Sequence, residues 1–236
     1  MTFVPTAWTR FPQRFSCEHD EVHVWCVSLQ ERRPELVNLV RVLNTEEIAR
    51  ANRFIKATDR DQYIACRAGL RLILSGYLDV SPEALCFRSD SNGKPRLESV
   101  TVPMALSFSV SHSEGFALYS VSRGRATGVD LERIRPHLAS PWISERFFLE
   151  EDSARLKHLD GDAFVEGFFV YWTRMEAFLK ACGLGLAGLG RDESEDRSKW
   201  AIYDLTPRPG YIGALTVEGQ EHRLTCWDLE DWGQIL

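Results

Sequence analysis

The sequence of 236 residues lacks the features that mark several large classes of protein. It has no apolar run near the roughly 18 residues that a membrane span needs, and its first residues lack the apolar core of a signal peptide. The formal net charge is −6, so no domain-wide basic field is available for bulk binding of nucleic acid. We therefore expect a cytoplasmic protein with no membrane and no nucleic-acid partner.

Cysteine pairs are also missing. The six cysteines are scattered, and none belongs to a Cys-x-x-Cys pair, which favours reduced thiols over a zinc site or a disulfide framework. The hydrophobic content of 44% and the charged content of 26% are ordinary for a globular protein, and the length allows one large or two small domains.

Helical and strand patterns both occur along the chain. Asn44 and Glu47 have the spacing of a capping box at a helix start, and a second helix is expected over Asp59–Leu78. Met104–Ile134 has the pattern of an antiparallel meander, and the longest helix is expected over Phe164–Ala181. The tail returns to strands, which we expect at Trp200–Leu205, Tyr211–Val217 and His222–Leu229.

The stretch Thr127–Arg133 has a period of two. Val129 and Leu131 alternate with Asp130 and Glu132, which is typical of a half-buried strand. Both carboxylates then project from the same face of that strand.

The stretch Trp172–Lys180 has helical spacing, with Glu176 and Lys180 at i and i+4 on one face. If this helix packs against the strand, three carboxylates and one ammonium converge. Oxygen-rich sites of this kind suit Mg²⁺, which leaves its remaining positions to water and substrate phosphates. The alternative interpretation is a solvated strand whose acids pair with Arg133 or Arg135.

The segment Gly183–Gly188 fits the pattern G-x-G-x-x-G letter for letter. A dinucleotide-binding fingerprint must follow a strand and open a helix, whereas these glycines follow a helix. They therefore predict a helix C-cap and an exit loop, and we reject a dinucleotide site.

The two acidic stretches, in this order, resemble the motifs of the Sfp-type 4′-phosphopantetheinyl transferase family. The resemblance rests on Gly-Val-Asp-x-Glu at 128–132 and on Trp-Thr-x-x-Glu-Ala-x-x-Lys at 172–180. Two lesser matches are Gly93-Lys94-Pro95 and Phe108–Ser113. Four motifs in the family's order make coincidence a poor explanation, although each alone would be a weak signal.

The resemblance implies an α/β fold of the α+β kind. Two similar halves would be related by a pseudo-twofold axis, each a small, mostly antiparallel sheet packed with helices, with the active site in the cleft between them. We place these halves at residues 1–124, with the coenzyme A nucleotide contacts, and 125–236, with the metal site and the catalytic helix. Because one chain holds both halves, we expect a monomer.

The implied activity is the Mg²⁺-dependent transfer of the 4′-phosphopantetheine arm of coenzyme A to a serine of an apo acyl, peptidyl or aryl carrier protein. Adenosine 3′,5′-bisphosphate would leave. The length resembles members that serve secondary metabolism, including siderophore and polyketide assembly. Two alternatives stay open: a degenerate, non-catalytic relative that binds the carrier or coenzyme A, and another Mg²⁺-dependent enzyme that cleaves pyrophosphates.

The resemblance assigns Asp130, Glu132 and Glu176 to the metal. The serine of the carrier needs a base, and counting back 24 positions from Glu176 leads to Asp152, or to Glu151 if the register differs by one. An acidic first turn of a helix, which complements the helix dipole, is the alternative interpretation. Together with Lys180, we expect Asp152 and Glu176 to take part in catalysis.

Five residues are expected to bind coenzyme A. By resemblance, Lys180 lies at the reacting phosphates, and Ser111, His112 and Lys94 contact coenzyme A. Arg71, an arginine among apolar helix positions, is a candidate for the nucleotide end. Read alone, these residues are typical of surface turns and of an ordinary helical salt bridge.

The chain departs from the family pattern at two positions. Met175 stands directly before the helix glutamate, where a lysine is common, and Arg174 is a possible replacement. Gln62 stands where an arginine for the adenosine 3′-phosphate would align, and Arg60 or Arg67 is a possible replacement.

Overall fold

The computed structural model describes residues 7–12, 15–30, 33–89, 95–98, 106–185, 197–229 and 232. Ten strands lie in these ranges: β1 (Trp8–Arg10), β2 (Glu21–Ser28), β3 (Phe87–Ser89), β4 (Pro95–Leu97), β5 (Leu106–Ser113), β6 (Phe116–Arg123), β7 (Thr127–Arg133), β8 (Trp200–Leu205), β9 (Tyr211–Glu218) and β10 (Arg223–Leu229). The α-helices are α1 (Arg33–Arg41), α2 (Thr45–Ala51), α3 (Ala57–Leu78), α4 (Pro141–Phe147), α5 (Glu150–Leu156) and α6 (Gly161–Cys182). None of these six helices is long and apolar enough to span a membrane.

The strands form two larger sheets and one hairpin. The first sheet has the order β1-β10-β2-β6-β5, the second has the order β7-β9-β8, and β3 pairs with β4. The order β2-β6-β5 is repeated by β7-β9-β8, with antiparallel neighbours in both. In each case a helix of 22 residues, α3 or α6, follows the first strand in the chain. This repeat confirms the predicted α/β fold of two similar halves.

The two larger sheets face each other, and each carries its long helix on the outer side. Along β2, Val24 and Cys26 face the second sheet, whereas Trp25 and Val27 face α3. A strand that is buried on both faces needs apolar residues at consecutive positions. The layers are therefore α3, the first sheet, the second sheet and α6, and α6 packs against β7 and β9.

Most of the predicted elements are confirmed to within a few residues. The capping box of α2 is present: the amide of Glu47 donates to Oδ1 of Asn44 at 2.8 Å, and the amide of Asn44 donates to Oε2 of Glu47 at 3.0 Å. The prediction of a single meander over 104–134 is wrong in its last strand, because β7 pairs with β9 and not with β6. Periodicity determines which face of a strand is buried, and it does not determine the neighbouring strand.

The division into residues 1–124 and 125–236 stays a prediction. Gly124 lies between β6 and β7, where the chain passes from the first sheet to the second. The last strand, β10, nevertheless returns to the first sheet, where it runs parallel to both β2 and β1. Of the two larger sheets, the first is therefore mixed and the second is wholly antiparallel.

Candidate active site

The close approach of β7 and α6 places the functional side chains. A Cβ atom at Gly128 would lie 2.1 Å from the carbonyl oxygen of Ala177 and 2.4 Å from the amide nitrogen of Ala181, both in the backbone of α6. A side chain at this position is therefore excluded, and the glycine lets the strand touch the helix. This contact brings Asp130 of β7 beside Lys180 of α6.

Asp130 is the most deeply buried acid at this junction, with 6% of its side chain exposed. Its Oδ1 accepts hydrogen bonds from Nζ of Lys180 at 2.6 Å and from Oγ of Ser111 at 2.7 Å. Nζ of Lys180 also donates to Oγ of Ser111 at 3.0 Å, so the three groups form a closed triangle. Oδ2 of Asp130 is buried and accepts no hydrogen bond from the described residues. Such an atom needs an explanation, because buried polar atoms are nearly always paired.

Glu132 and Glu176 complete the acidic cluster. Oε2 of Glu132 accepts hydrogen bonds from Oγ of Ser113 at 3.0 Å and from Arg135 at 3.2 Å. Burial, and then the negative charge of Asp130, raise the pKa of Glu132. The same two causes, in the same order, raise the pKa of Glu176. The three carboxylates predicted to converge therefore interact electrostatically, and the alternative pairing of a strand acid with Arg135 is present as well.

The oxygen atoms of this cluster fit a Mg²⁺ ion. Within the described ranges, no three Asp, Glu, His or Cys side chains surround one point closely enough to hold an ion by themselves. Mg²⁺ does not need such a cage, because it is usually bound by one or two carboxylates, several waters and substrate phosphates. Oδ2 of Asp130, to which no residue in the described ranges donates, is suited to this use. The assignment of Asp130, Glu132 and Glu176 to the metal stays a prediction.

His112 follows Ser111 along β5 and is exposed beside the cluster. Partial desolvation of the imidazole ring lowers the pKa of His112, and the nearby positive charge of Lys180 lowers it further. A neutral imidazole can donate one hydrogen bond to a phosphate oxygen. Lys94, the other predicted ligand of coenzyme A, lies outside the described residues.

Arg71 lies in the core of the first half and not among these side chains. It has no exposed surface, and its Nε donates to Oε2 of Glu47 at 2.7 Å. Its Nη1 donates to the carbonyl oxygens of Pro82 at 2.7 Å and Leu85 at 3.0 Å. These contacts fasten α3 to α2 and to the turn that follows α3. Nη2 of Arg71 is buried and has no hydrogen-bond partner among the described residues, and the expected contact between Arg71 and the nucleotide stays a prediction.

The candidate base lies in the first turn of α5. The side chain of Glu151 is 85% exposed, whereas Asp152 is half-buried. Burial raises the pKa of Asp152, although the charges of Arg174, Arg155 and Arg197 pull it down. Because Arg174 belongs to α6, Asp152 lies beside the helix that carries the third carboxylate. Of the two alternatives for the base, the geometry favours Asp152.

Arg174 is engaged in a two-point ion pair. Its Nε and Nη2 donate to the two carboxylate oxygens of Asp204 in β8 at 2.6 and 2.5 Å, and its guanidinium lies 5.4 Å from the ring centre of Tyr171. A bidentate pair of this kind holds the guanidinium firmly. Arg174 therefore does not replace the lysine missing at Met175 in this arrangement.

Ser113 donates a hydrogen bond to the acidic cluster, and the motifs in the sequence assigned no role to it. A weak signal for it exists in the sequence, because Ser109, Ser111 and Ser113 recur at every second position of β5. Residues at this spacing share one face of a strand. Only the position of β7 beside β5 shows what that face contacts.

Coupled carboxylates beside an ammonium, at the junction of two similar α/β halves, are typical of an enzyme that acts on phosphate groups. Comparison with known proteins gives the family. Residues 126–227 match the model of the 4′-phosphopantetheinyl transferase superfamily, and residues 29–123 match the model described as 4′-phosphopantetheinyl transferase, N-terminal.

The relatives agree with these two matches. The 4′-phosphopantetheinyl transferase HetI of Nostoc sp. is 35% identical over 222 residues, which cover 90% of this chain and 94% of the relative. The 4′-phosphopantetheinyl transferase psf-1 of Bacillus pumilus is 25% identical over 195 residues, which cover 82% and 76%. A crystal structure of a holo-(acyl-carrier-protein) synthase from Bacillus anthracis has 23% identity and a TM-score of 0.37, and it covers 44% of this chain and 95% of that chain. The chain belongs to the 4′-phosphopantetheinyl transferase superfamily and is a transferase.

Proposed function

We propose that this protein transfers the 4′-phosphopantetheine arm of coenzyme A to a serine hydroxyl of an apo carrier protein. The serine oxygen forms a bond to the phosphorus that carries pantetheine, and the bond from that phosphorus to the bridging oxygen breaks. Adenosine 3′,5′-bisphosphate departs with the bridging oxygen. Besides the family, the observation that carries this proposal is the buried Asp130, which has one oxygen paired with Lys180 and the other without a partner among the described residues.

The acidic cluster supplies the ion site in this proposal. Asp130, Glu132 and Glu176 would hold Mg²⁺, which when bound would neutralise charge on the pyrophosphate oxygens. The hydrogen bonds of Lys180 to Asp130 and Ser111 fix its ammonium beside the cluster. A preorganised positive charge at this place stabilises the charge that develops on the departing phosphate.

The proton of the serine hydroxyl goes to Asp152 in this proposal. A carboxylate whose pKa is raised by burial is a stronger base than an exposed one, and proton transfer of this kind contributes about 10²–10⁴-fold to the rate. In this proposal Lys180 gives a proton to the departing phosphate. His112, beside Lys180, is available to bind a phosphate oxygen.

The test is direct. The protein is incubated with coenzyme A, Mg²⁺ and an apo carrier domain, and the intact mass of the carrier is measured. We expect an increase by one phosphopantetheine group, and no increase with a carrier whose acceptor serine is replaced by alanine or with a chelator present. No added mass on any of several acyl, peptidyl and aryl carriers would overturn the proposal.

Two further arms separate the alternatives. Coenzyme A and Mg²⁺ without a carrier test for hydrolysis, since an enzyme that cleaves pyrophosphates would release the bisphosphate under these conditions. Calorimetry with coenzyme A or a carrier tests for binding without turnover, which would indicate a non-catalytic relative.

A further inference from the structure

β5 and β7 are edge strands of different sheets, and side chains rather than a backbone ladder connect them. The amide of Val129 donates to Oγ of Ser109 at 3.2 Å, and the amide of Arg133 donates to Oγ of Ser113 at 3.1 Å. Between them, Ser111 donates to a carboxylate of β7, as described above. These three serines, Ser109, Ser111 and Ser113, form what we call the serine seam.

The serine seam is in register along both strands. Each hydrogen bond between the serine seam and β7 joins residues that are 19 or 20 positions apart in the sequence. A constant separation means that β5 and β7 run alongside each other in the same direction. Each serine therefore contacts a fixed position of β7, and the spacing of two along β5 matches the spacing of two between Asp130 and Glu132.

The outer two serines differ in one respect. Both are buried, with 4% of Ser109 and 8% of Ser113 exposed, and both accept a backbone amide of β7. Within the part of the chain that the structure describes, Ser113 but not Ser109 also donates to a carboxylate, that of Glu132 at 3.0 Å. Ser109 thus makes the same kind of hydrogen bond to the backbone of β7 as Ser113, but it does not donate to a carboxylate of the described acidic cluster.

The second hydrogen-bond partner of Glu132 holds it less firmly. Arg135 is 35% exposed, and its Nη1 also lies 3.5 Å from Glu114, so its guanidinium is shared between two carboxylates. The long side chains of Glu132 and Arg135 lose rotamer freedom in forming their pair. The hydroxyl of Ser113 sits on a short side chain inside the seam, where little freedom remains to be lost.

We propose that Ser113 is a positioning residue that holds the carboxylate of Glu132 toward Asp130 and Glu176, and that it thereby sets the affinity of the cluster for a divalent cation. This inference rests on the proposed function in one respect: it assumes that the bound cation is the Mg²⁺ that phosphopantetheine transfer needs. Hydrogen bonds that orient metal ligands change metal affinity by about 10–100-fold when they are removed.

The matched variants are Ser113→Ala and Ser109→Ala. Binding of Mn²⁺ to the free protein is measured by the loss of the free-ion electron paramagnetic resonance signal, without coenzyme A or carrier. We expect Ser113→Ala to weaken Mn²⁺ binding about 10-fold, and Ser109→Ala to change it less than twofold. Denaturant unfolding should show a loss of stability in both variants, because each leaves one backbone amide of β7 unpaired, and a larger loss in Ser113→Ala, which also removes the hydrogen bond to Glu132.

The transfer assay gives a second readout. In Ser113→Ala, the Mg²⁺ concentration for the half-maximal rate should rise by the same factor as the Mn²⁺ dissociation constant, while kcat at saturating Mg²⁺ stays within about twofold. Ser113→Thr, which keeps the hydroxyl, should restore both values.

Equal Mn²⁺ affinity in Ser113→Ala and Ser109→Ala would overturn the proposal, as would the absence of Mn²⁺ binding to the unaltered protein. An altered Mn²⁺ affinity in a protein that modifies no carrier would instead leave Ser113 in this role and remove the proposed function.

Discussion

Nζ of Lys180 lies 2.6 Å from Oδ1 of Asp130, so the most buried acid of the cluster has an internal counter-ion. The lysine side chain is 28% exposed and the aspartate side chain 6%. Removing one partner of a buried pair is destabilising, because the remaining charge is left uncompensated. Since no described residue donates to Oδ2 of Asp130, the same carboxylate can serve both this ammonium and a metal ion.

Lys180→Met should therefore make the stability of the protein depend on Mg²⁺. We expect the variant to lose about 2 kcal/mol of unfolding free energy without metal, less than for a fully buried pair because the lysine is partly exposed. Mg²⁺ should raise the melting temperature of the variant more than that of the unaltered protein, because the ion takes over the neutralisation of Asp130. Thermal unfolding with and without Mg²⁺ measures both effects.

The control for this prediction is Lys157→Met, since the ammonium of Lys157 pairs with an exposed carboxylate. It should change the unfolding free energy by less than about 0.5 kcal/mol. An identical response of all three proteins to Mg²⁺ would contradict the counter-ion role of Lys180.

Gly128→Ala should separate β7 from α6. The added methyl group meets backbone atoms of Ala177 and Ala181, which cannot rotate away. We expect a loss of about 3 kcal/mol or more in unfolding free energy, measured by denaturant titration. Gly167→Ala in α6 is the matched control, because its methyl group meets only the ends of two leucine side chains. Equal stability of the two variants would show that the close approach at Gly128 is not required.

Asp152→Asn and Glu151→Gln decide which acid is the base. We expect Asp152→Asn to lower kcat about 100-fold or more, and Glu151→Gln to stay within twofold, since the Glu151 side chain is 85% exposed. Because the pKa of Asp152 is raised, the rate of the unaltered protein should still be increasing with pH above the ordinary range of an aspartate. The acid limb should change in Asp152→Asn and stay unchanged in Glu151→Gln, because Glu132 and Glu176, whose pKa values are also raised, are present in both variants. Carrier mass measured over a pH series checks both, and comparable losses in the two variants would place the base elsewhere.

The two acidic stretches show how much of the site the sequence could predict. Alternation in Thr127–Arg133 and helical spacing in Trp172–Lys180 are local patterns, and local patterns place side chains on faces. The two faces converge because Gly128 has no side chain. The sequence shows this glycine, but it does not show what the strand approaches there. The structure explains it through the backbone of α6.

Arg71 and β10 show what could not be predicted. The partner of Arg71 is Glu47, 24 positions earlier, and no local pattern connects an arginine on α3 to a carboxylate on α2. In the same way, the sequence predicts a strand at His222–Leu229, but the parallel place of β10 between β1 and β2 depends on residues more than 190 positions away. Pairings of this kind are decided by packing of the whole chain.

The buried His23 should make the unfolding free energy of the protein depend on pH in acid. Its Nδ1 lies 2.7 Å from the hydroxyl of Tyr77, its ring packs on Trp227, and burial lowers its pKa from 6.5 to about 4. Between these two pH values the unfolded chain binds a proton at His23 and the folded protein does not, so the unfolding free energy falls as the pH falls from 6.5 to 4. The full loss amounts to about 3 kcal/mol. Denaturant unfolding of the unaltered protein and of His23→Gln over this pH range should give curves that converge in acid, and parallel curves would show that His23 does not cause the loss.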